Sequence, residues 1–439
     1  MYSFLRFFSK TLTVTFLFSG LLCVSAIAEI SQEQREATYK QLEIFSNVLS
    51  ILQDNYVEEI DTEEVLNGAI RGLLFSLDPH SSYLPPENFK ELQEETRGTF
   101  SGIGIEVTIK EDLLTIVSPI ADTPADRAGL KANDLIIKIN GVKTKNMGPY
   151  EAIKQLRGPE GTEVTISVHR EGWDTLKEMT LKREIIPLQS VKAEFLSPGF
   201  IYARITSFRS QTSKDFKEKM DELTSEHAIE GLILDLRSNP GGLLHQAVSI
   251  SDYFLDSGKI VYTKGRRKDQ NTVFTAHTES DRKLFPLVVL VNEGSASASE
   301  IVAGAIQAHK RGIIVGTRTF GKGSVQTIIP LPDGAGLRMT TARYYTPDDR
   351  SIQARGILPD VVVPFIPCVE PDVKNKKKKF IKEIDLANHL IEAKKEWGQK
   401  EEEAQKKLEE RLLKDNQLRS AYNILKSLNL FSEFQETEK

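Results

Sequence analysis

The chain has 439 residues, 40% hydrophobic and 27% charged, an ordinary globular balance with enough apolar side chain for two or three domains. Its net charge is −5, and Lys and Arg are mixed with Asp and Glu almost everywhere, so no nucleic-acid partner is expected. Two cysteines, Cys23 and Cys368, exclude a disulfide framework, and stability must come from core packing.

Residues 1–28 read as a signal peptide. Arg6 and Lys10 give a basic start, Thr11–Val24 an apolar core, and Ala26-Ile27-Ala28 a small-residue cleavage site. The apolar run is short for a membrane span. The expected product is exported, hence periplasmic or otherwise extracytoplasmic; left uncleaved, the segment would be an N-terminal membrane tether. Leu22 before Cys23 fits lipoprotein processing poorly, and Cys368 has no companion His for thiol chemistry.

Residues 29–96 read as helical, with Leu42, Phe45, Val48, Leu49 and Leu52 at helical spacing, then Val65, Ala69, Leu73 and Leu74. "DPHSSYLPPENF" interrupts with turn formers before a short helix over 87–95. His80 in this loop reads as part of a capping turn, since no nucleophile lies near it in sequence.

From 97 to 185 the texture changes to short strands, "IGIEVTIK", "LLTIVSPI", "DLIIKINGV", "EVTISVHR" and "LKEMTLKRE", with helical stretches at Ala125–Ala128 and Pro149–Gln155. That is one small, mainly β domain. Over 186–367 strand and helix alternate: "IYARITSF" and "GLILDLRS" each precede a helical stretch. "PLVVLVNE" is the near-continuous apolar run of a strand covered on both faces. A helix over 296–309 and the strand "GIIVGT" follow, so the fold class is mixed α/β. Residues 368–439 form a charged helical tail. Lys376–Lys379 reads as a solvated linker, and Leu408, Leu412, Leu418, Tyr422 and Leu425 fall on one face that would pack on the core or a partner.

Three stretches could carry chemistry. "NEGSASASE", 292–300, puts three serines at the start of the 296–309 helix, where free N–H groups and the helix dipole favour an anion. A serine there either caps the helix or attacks a carbonyl while neighbouring N–H groups hold the oxyanion. A nucleophilic serine needs a base. None of the seven histidines sits in a triad motif; His309, at the far end of the serine's own helix, lies roughly 18 Å away at 1.5 Å per residue. "TFGKGSVQ" offers Lys322 instead, which a half-apolar site would strip of its charge more easily. A helix out from the serine and a strand back would return the chain to the serine's end of the sheet. "LDLRSNPGGLL" ends a strand in Gly241 and Gly242, whose unobstructed N–H groups suit an oxyanion hole.

Together "NEGSASASEI", "GKGSVQ" and "DLRSNPGG" resemble the carboxyl-terminal processing, or tail-specific, proteases. "SLDPHSSYL", "ELQEETRGTFSGIGIEV", "LRMTTARYYTP" and "ARGILPDVVV" share that texture, so the resemblance spans about residues 40–365. It implies a serine endopeptidase with an embedded PDZ domain and neither metal nor other cofactor. By that resemblance Ser297 is the nucleophile, Lys322 the general base 25 residues on, and Gln326 the residue that orients the lysine. Ala298 and one of Gly241 and Gly242 would supply the oxyanion donors, leaving Ser295 and Ser299 as turn and capping residues. "SGIGIEV" resembles the PDZ carboxylate-binding loop, which places Gly102, Ile103, Gly104 and Ile105 against a peptide's free C-terminus. A dinucleotide loop is rejected there, since the third glycine and following helix are missing. The tail past 370 has no clear counterpart in the family.

The reading is therefore an exported Ser/Lys endopeptidase acting on protein or peptide substrates with free C-termini, its PDZ domain recognising the tail and gating the cleft. Two rivals stand against it: a peptide-binding PDZ scaffold with a vestigial serine site, and a Ser/His hydrolase using His245. Self-association through the helical ends, as a homo-oligomer, is a further expectation.

Overall fold

The structure, a computed structural model, describes residues 32–110, 113–145, 147–225, 227–278, 285–367 and 399–437. The leader with Cys23, and the linker with Cys368 and Lys376–Lys379, lie outside the described residues. Two compact units divide the chain, Met1–Ser76 and Leu77–Lys439.

The first unit holds helices α1 (Gln32–Asn55) and α2 (Thr62–Phe75). Asp61 caps α2 by accepting hydrogen bonds from the Glu63 and Glu64 N–H groups. The spacing in α1 does make a helix, but Leu42, Phe45, Val48 and Leu52 remain exposed on it.

The second unit begins with an element the sequence reading missed. Ser82–Leu84 forms strand β1, not part of a helical run. The Asp78 turn ahead of it and Pro85 behind it hold these residues extended. They pair antiparallel with a distant strand, Ser82 opposite Arg338 and Leu84 opposite Gly336. Helix α3 (Pro86–Arg97) and strand β2 (Thr99–Gly102) then lead into the mainly β domain.

That domain contains β3 (Ile105–Lys110), β4 (Leu113–Pro119), α4 (Pro124–Arg127), β5 (Leu135–Ile139), β6 (Val142–Lys143), α5 (Pro149–Leu156), β7 (Glu163–His169) and β8 (Lys177–Lys182). Its sheet runs β3-β4-β5-β7-β8, with β6 on β5, so β3 is an edge strand. Leu114, Ile116, Ile136, Ile139, Ile166 and Val168 are fully buried in a core of their own. Strand β9 (Glu184–Pro187) returns alongside β2, so the domain enters and leaves through one antiparallel ribbon.

The α/β core comprises β10 (Val191–Ser197), β11 (Phe200–Ile205), α6 (Thr212–Thr224), β12 (Gly231–Asp235), α7 (Leu244–Phe254), β13 (Lys259–Gly265), β14 (Val273–Thr275), β15 (Leu287–Val291), α8 (Ala298–Ala308), β16 (Ile313–Gly316), β17 (Ser324–Pro330), β18 (Gly336–Tyr345) and β19 (Val361–Val362). Its main sheet has the order β10-β11-β12-β15-β16-β19, parallel apart from β10. A second, antiparallel sheet runs β1-β18-β13-β14, with β17 also on β18.

Every residue of β12 and β15 is buried, as expected of strands covered on both faces. The residues alternate between two layers. Leu232, Leu234, Leu287, Val289 and Val291 face a core that includes Phe216, Phe254, Ile301 and Ile306 of α6, α7 and α8. Ile233, Val288 and Leu290 face the other way, onto Leu408, Leu418, Ala421, Tyr422 and Leu425. These last belong to α9 (Gln399–Lys414) and α10 (Asn416–Thr437). Of the two expectations for the tail's apolar stripe, the structure selects packing on the core: the charged tail is the sheet's second covering layer.

Candidate active site

Adjacent parallel strands β12 and β15 end side by side, and the turns that follow them interlock. The Ala296 N–H and the Ser299 hydroxyl both donate to the Asn239 carbonyl, at 3.0 and 2.9 Å. The Ser295 hydroxyl donates to the Leu236 carbonyl at 2.8 Å. The Ser238 N–H donates to Asn292 Oδ1 at 2.7 Å, and Asn239 Nδ2 to the Ile205 carbonyl at 2.9 Å. Ser295 and Ser299 are fully buried: Ser295 holds its own turn as expected, its hydroxyl also accepting the Asn292 N–H at 3.0 Å, whereas Ser299 braces the two turns rather than capping the helix.

Ser297 differs from its neighbours in exposure and backbone. It is half-buried, and it sits at φ 52°, ψ −109°, where a residue with a Cβ is strained. Helix α8 therefore starts at Ala298 rather than two residues earlier. Across from it, Gly241 has φ 102°, and a Cβ there would lie 2.8 Å from Ser297 Cβ and 3.0 Å from the Ala298 nitrogen. Gly242 has φ 142°, and its Cβ would meet the Phe208 carbonyl oxygen at 2.1 Å. The close approach that the turn needs thus excludes side chains at both positions. The Gly241 N–H is committed to Asn239 Oδ1 at 2.9 Å. Among the described residues, the Ala298 and Gly242 N–H groups have no partner.

Glu300 is the residue that joins the two halves of the site, and the sequence reading passed over it. It is fully buried, yet its carboxylate accepts four hydrogen bonds. Oε2 takes the Ser297 N–H at 2.8 Å and the Lys322 N–H at 2.9 Å. Oε1 takes the Thr319 hydroxyl at 2.6 Å and the Gly321 N–H at 2.7 Å. One carboxylate oxygen thus fixes the backbones of Ser297 and Lys322 together. Burial pushes the Glu300 carboxyl above its ordinary range, with the four donors opposing that shift. The signal was legible: "SASE" is the S-x-x-E pattern in which the third residue's carboxylate reaches back to the serine N–H.

Lys322 is half-buried in the loop before β17. Burial holds its ammonium below the usual lysine range; the nearby Arg338 charge lowers it further, and Asp78 partly opposes them. Gln326, on β17, donates from Nε2 to the Thr340 hydroxyl at 2.7 Å, while its buried Oε1 has no partner among the described residues. That leaves a bare acceptor four residues along the chain from Lys322, suited to an N–H donor.

The histidines divide as follows. His245 is exposed at the start of α7, and a ring nitrogen of His309 lies 2.7 Å from the Lys259 carbonyl. His80 has no nucleophile near it in sequence, but the pairing of β1 with β18 carries its loop to the strand that faces Gln326. The His80 N–H and that of Ser81 donate to Asp78 Oδ1 in a capping turn, as expected. The Ser81 hydroxyl in turn accepts the Thr340 N–H at 3.2 Å, one residue pair from Gln326. Burial first and the Lys322 charge next hold His80 below its ordinary value, and the Ser81–Thr340 bond ties the "DPHSS" loop to the strand opposite Gln326.

In the mainly β domain a cleft of about 350 Å³ lies along edge strand β3, lined by Gly102–Ile105 with Ile153 and Leu156 of α5. The Ile103 and Gly104 carbonyls accept the Ala125 and Ile120 N–H groups, both at 2.9 Å. The N–H groups of the same two residues have no partner among the described residues. Gly104 has φ 81°, and a Cβ there would lie 2.3 Å from Thr123 Cβ. Ile103 is 2% exposed and belongs to the domain core; its side chain anchors the loop, and its backbone is what faces a ligand.

Comparison with known proteins places this geometry. The profile of peptidase family S41 matches residues 199–363, that of the PDZ domain residues 115–170, and that of the activating protease CtpB N-terminal domain residues 20–88. The chain is 44% identical over 352 residues to a carboxy-terminal-processing protease of Bartonella bacilliformis, spanning 79% of this chain and 80% of that one. It is 40% identical over 323 residues to a carboxyl-terminal-processing protease of Synechocystis sp., with 71% and 74% covered. It is 36% identical over 349 residues to the carboxy-terminal processing protease CtpA of Bacillus subtilis, with 78% and 74% covered. The chain belongs to the carboxy-terminal-processing serine proteases of peptidase family S41, with a PDZ domain ahead of its catalytic core.

Proposed function

We propose that this protein is an exported endopeptidase that cuts substrates near their C-termini, with Ser297 as nucleophile and Lys322 as general base. The observation that carries the assignment is the pairing of a strained, accessible serine with a half-buried lysine through the single Glu300 oxygen. Neutral Lys322 takes the Ser297 hydroxyl proton as Oγ attacks the scissile carbonyl carbon. The oxyanion that forms is held by the Ala298 N–H and a glycine of the Gly241–Gly242 turn. Because Gly241 already donates to Asn239, the open Gly242 N–H is the readier second donor. Collapse passes the proton from Lys322 to the leaving amine and leaves an acyl-enzyme; water then attacks, gives up a proton to Lys322, and releases the acid with Ser297 restored. Gln326 Oε1 accepts from the Lys322 amine and aims its lone pair.

The substrate's tail adds as a strand along β3, its carboxylate on the Ile103 and Gly104 N–H groups and its last side chain against Ile153 and Leu156. That apolar lining favours a small or apolar final residue. The basic start, apolar run and Ala26-Ile27-Ala28 of the leader support export. N-terminal sequencing of the exported protein tests this: a mature chain beginning at Glu29 is expected, and retention in the cytoplasm would refute it. For the site, Ser297→Ala and Lys322→Ala should each abolish peptide cleavage without changing the melting temperature by more than a few degrees. A serine-reactive phosphonate should label Ser297 alone. Wild-type turnover in either variant sinks the assignment.

A further inference from the structure

We propose that the C-terminal helix pair is a working part of the active site, in which Asp415 is a positioning residue that holds the oxyanion turn through Arg237. This rests on the reading of the Gly241–Gly242 turn as an oxyanion donor. Arg237 opens that turn, and its guanidinium is only 11% exposed. Its Nε and Nη2 donate to the fully buried Asp235 at 3.0 and 2.7 Å. On its other edge Nη1 and Nη2 donate to Asp415 at 3.0 and 2.7 Å, a bidentate fork. Gln417 Oε1 accepts from Nη1 at 3.0 Å.

Asp415 joins α9 to α10, and the same carboxylate accepts the Leu418 N–H at 2.9 Å, capping α10. The junction is itself bolted to the core: Asn416 Nδ2 donates to the Pro364 carbonyl and Gln417 Nε2 to that of Val363, both at 2.8 Å. It therefore acts as a fixed anchor rather than a frayed helix end.

The anchor stands beside an open cleft of about 400 Å³, lined by Arg237, Ser238, Asn292, Glu293, Asp415 and Gln417, that borders both turns. The Arg237–Asp415 fork spans that cleft. From Arg237 the constraint passes to Ser238, bonded to Asn292, and to Asn239, whose carbonyl receives the serine turn. Asp235 and Arg237 already balance each other's charge. Asp415 therefore serves by geometry, setting the plane of the guanidinium, and touches no reacting atom.

The test compares two full-length variants of one helix pair. Asp415→Ala removes the fork; Leu425→Ala loosens the same tail against the sheet and leaves the fork intact. Each is assayed well below its melting temperature for kcat and KM on a peptide, and for affinity toward a peptide boronate that forms a tetrahedral adduct. Asp415→Ala should lose tenfold or more in kcat with KM within twofold, and should bind the boronate correspondingly more weakly. Asp415→Glu should recover part of both. Leu425→Ala should melt earlier and keep kcat within twofold. Undiminished kcat in Asp415→Ala, or an equal kcat loss in Leu425→Ala, overturns the proposal and leaves the tail a structural layer. Failure of the underlying dyad reading would show separately, as activity in Ser297→Ala.

Discussion

The proposed nucleophile, Ser297, sits on a strained backbone, and its proposed partner Lys322 carries a cost of a different kind. A non-glycine residue at the Ser297 φ and ψ costs about 1–3 kcal/mol, so Ser297→Gly should raise stability by about 1 kcal/mol in thermal unfolding while ending catalysis; a lower melting temperature would contradict the strain. Lys322 carries a desolvation cost instead. Its folded pKa lies below a lysine's ordinary 10.5, so the cost is fully present below the folded value and disappears as pH rises toward 10.5. Lys322→Met should therefore melt above wild type at neutral pH, with the gap closing as pH approaches 10.5. The kcat/KM of wild type should rise with pH through the lowered lysine value, ahead of a free lysine's titration. Glu300 offers a third measurement. Glu300→Gln swaps one acceptor oxygen for an N–H₂ that faces backbone donors, which should cost about 1–3 kcal/mol of stability and lower kcat more than tenfold. Unchanged kcat would show that the shared carboxylate does not set the dyad.

At the scale of elements, the strands and helices of the core follow from local pattern, and the misses have nonlocal causes. "LVVLV" reads as a strand covered on both faces, and all five residues are buried. The sequence could say that a second layer existed, but not that it comes from a charged tail far down the chain, because α9 and α10 contribute only a sparse apolar stripe. Leu425 is fully buried in that layer, so Leu425→Ala should cost about 2–5 kcal/mol in chemical unfolding. A loss under 1 kcal/mol would mean the tail is not integral. Strand β1 was missed because three residues carry no period, and it exists through pairing with β18. That pairing also carries "DPHSS" to the strand opposite Gln326, a juxtaposition invisible to any window of sequence. The three motif serines stand out in sequence as a group. Distinguishing Ser297 from Ser295 and Ser299 by physics alone needs burial and φ, which neither composition nor spacing contains.

Within the Leu77–Lys439 unit, hydrogen bonds joined by short stretches of chain lead from the PDZ groove to the Gly241–Gly242 turn. Phe100 of β2 and Leu188 just past β9 both line the groove, and the Leu188 N–H donates to the Gly98 carbonyl at 2.8 Å. Two residues before Gly98, the Thr96 carbonyl accepts the Ser210 N–H and hydroxyl, at 3.1 and 2.8 Å. Close by in the chain, the Phe208 N–H donates to the Gly241 carbonyl at 2.9 Å, and its carbonyl accepts the Leu243 N–H at 2.8 Å. If a bound tail tightens the β2–β9 ribbon, these bonds give it a route to the segment that frames both candidate oxyanion glycines. Spatial continuity alone does not establish coupling, and a two-substrate comparison can. Because Gly98 and Leu188 are hydrogen-bonded, a short linker between them can replace residues 99–187 without stretching the core. Wild type should cleave a peptide with a free C-terminal carboxylate faster than the same peptide amidated, in kcat as well as KM, since tail binding acts on the site and not only on affinity. In the deletion both differences should vanish. Preference for the free carboxylate surviving in the deletion would put recognition in the catalytic cleft. A preference confined to KM in wild type would reduce the PDZ domain to a tether with no hold on the oxyanion turn.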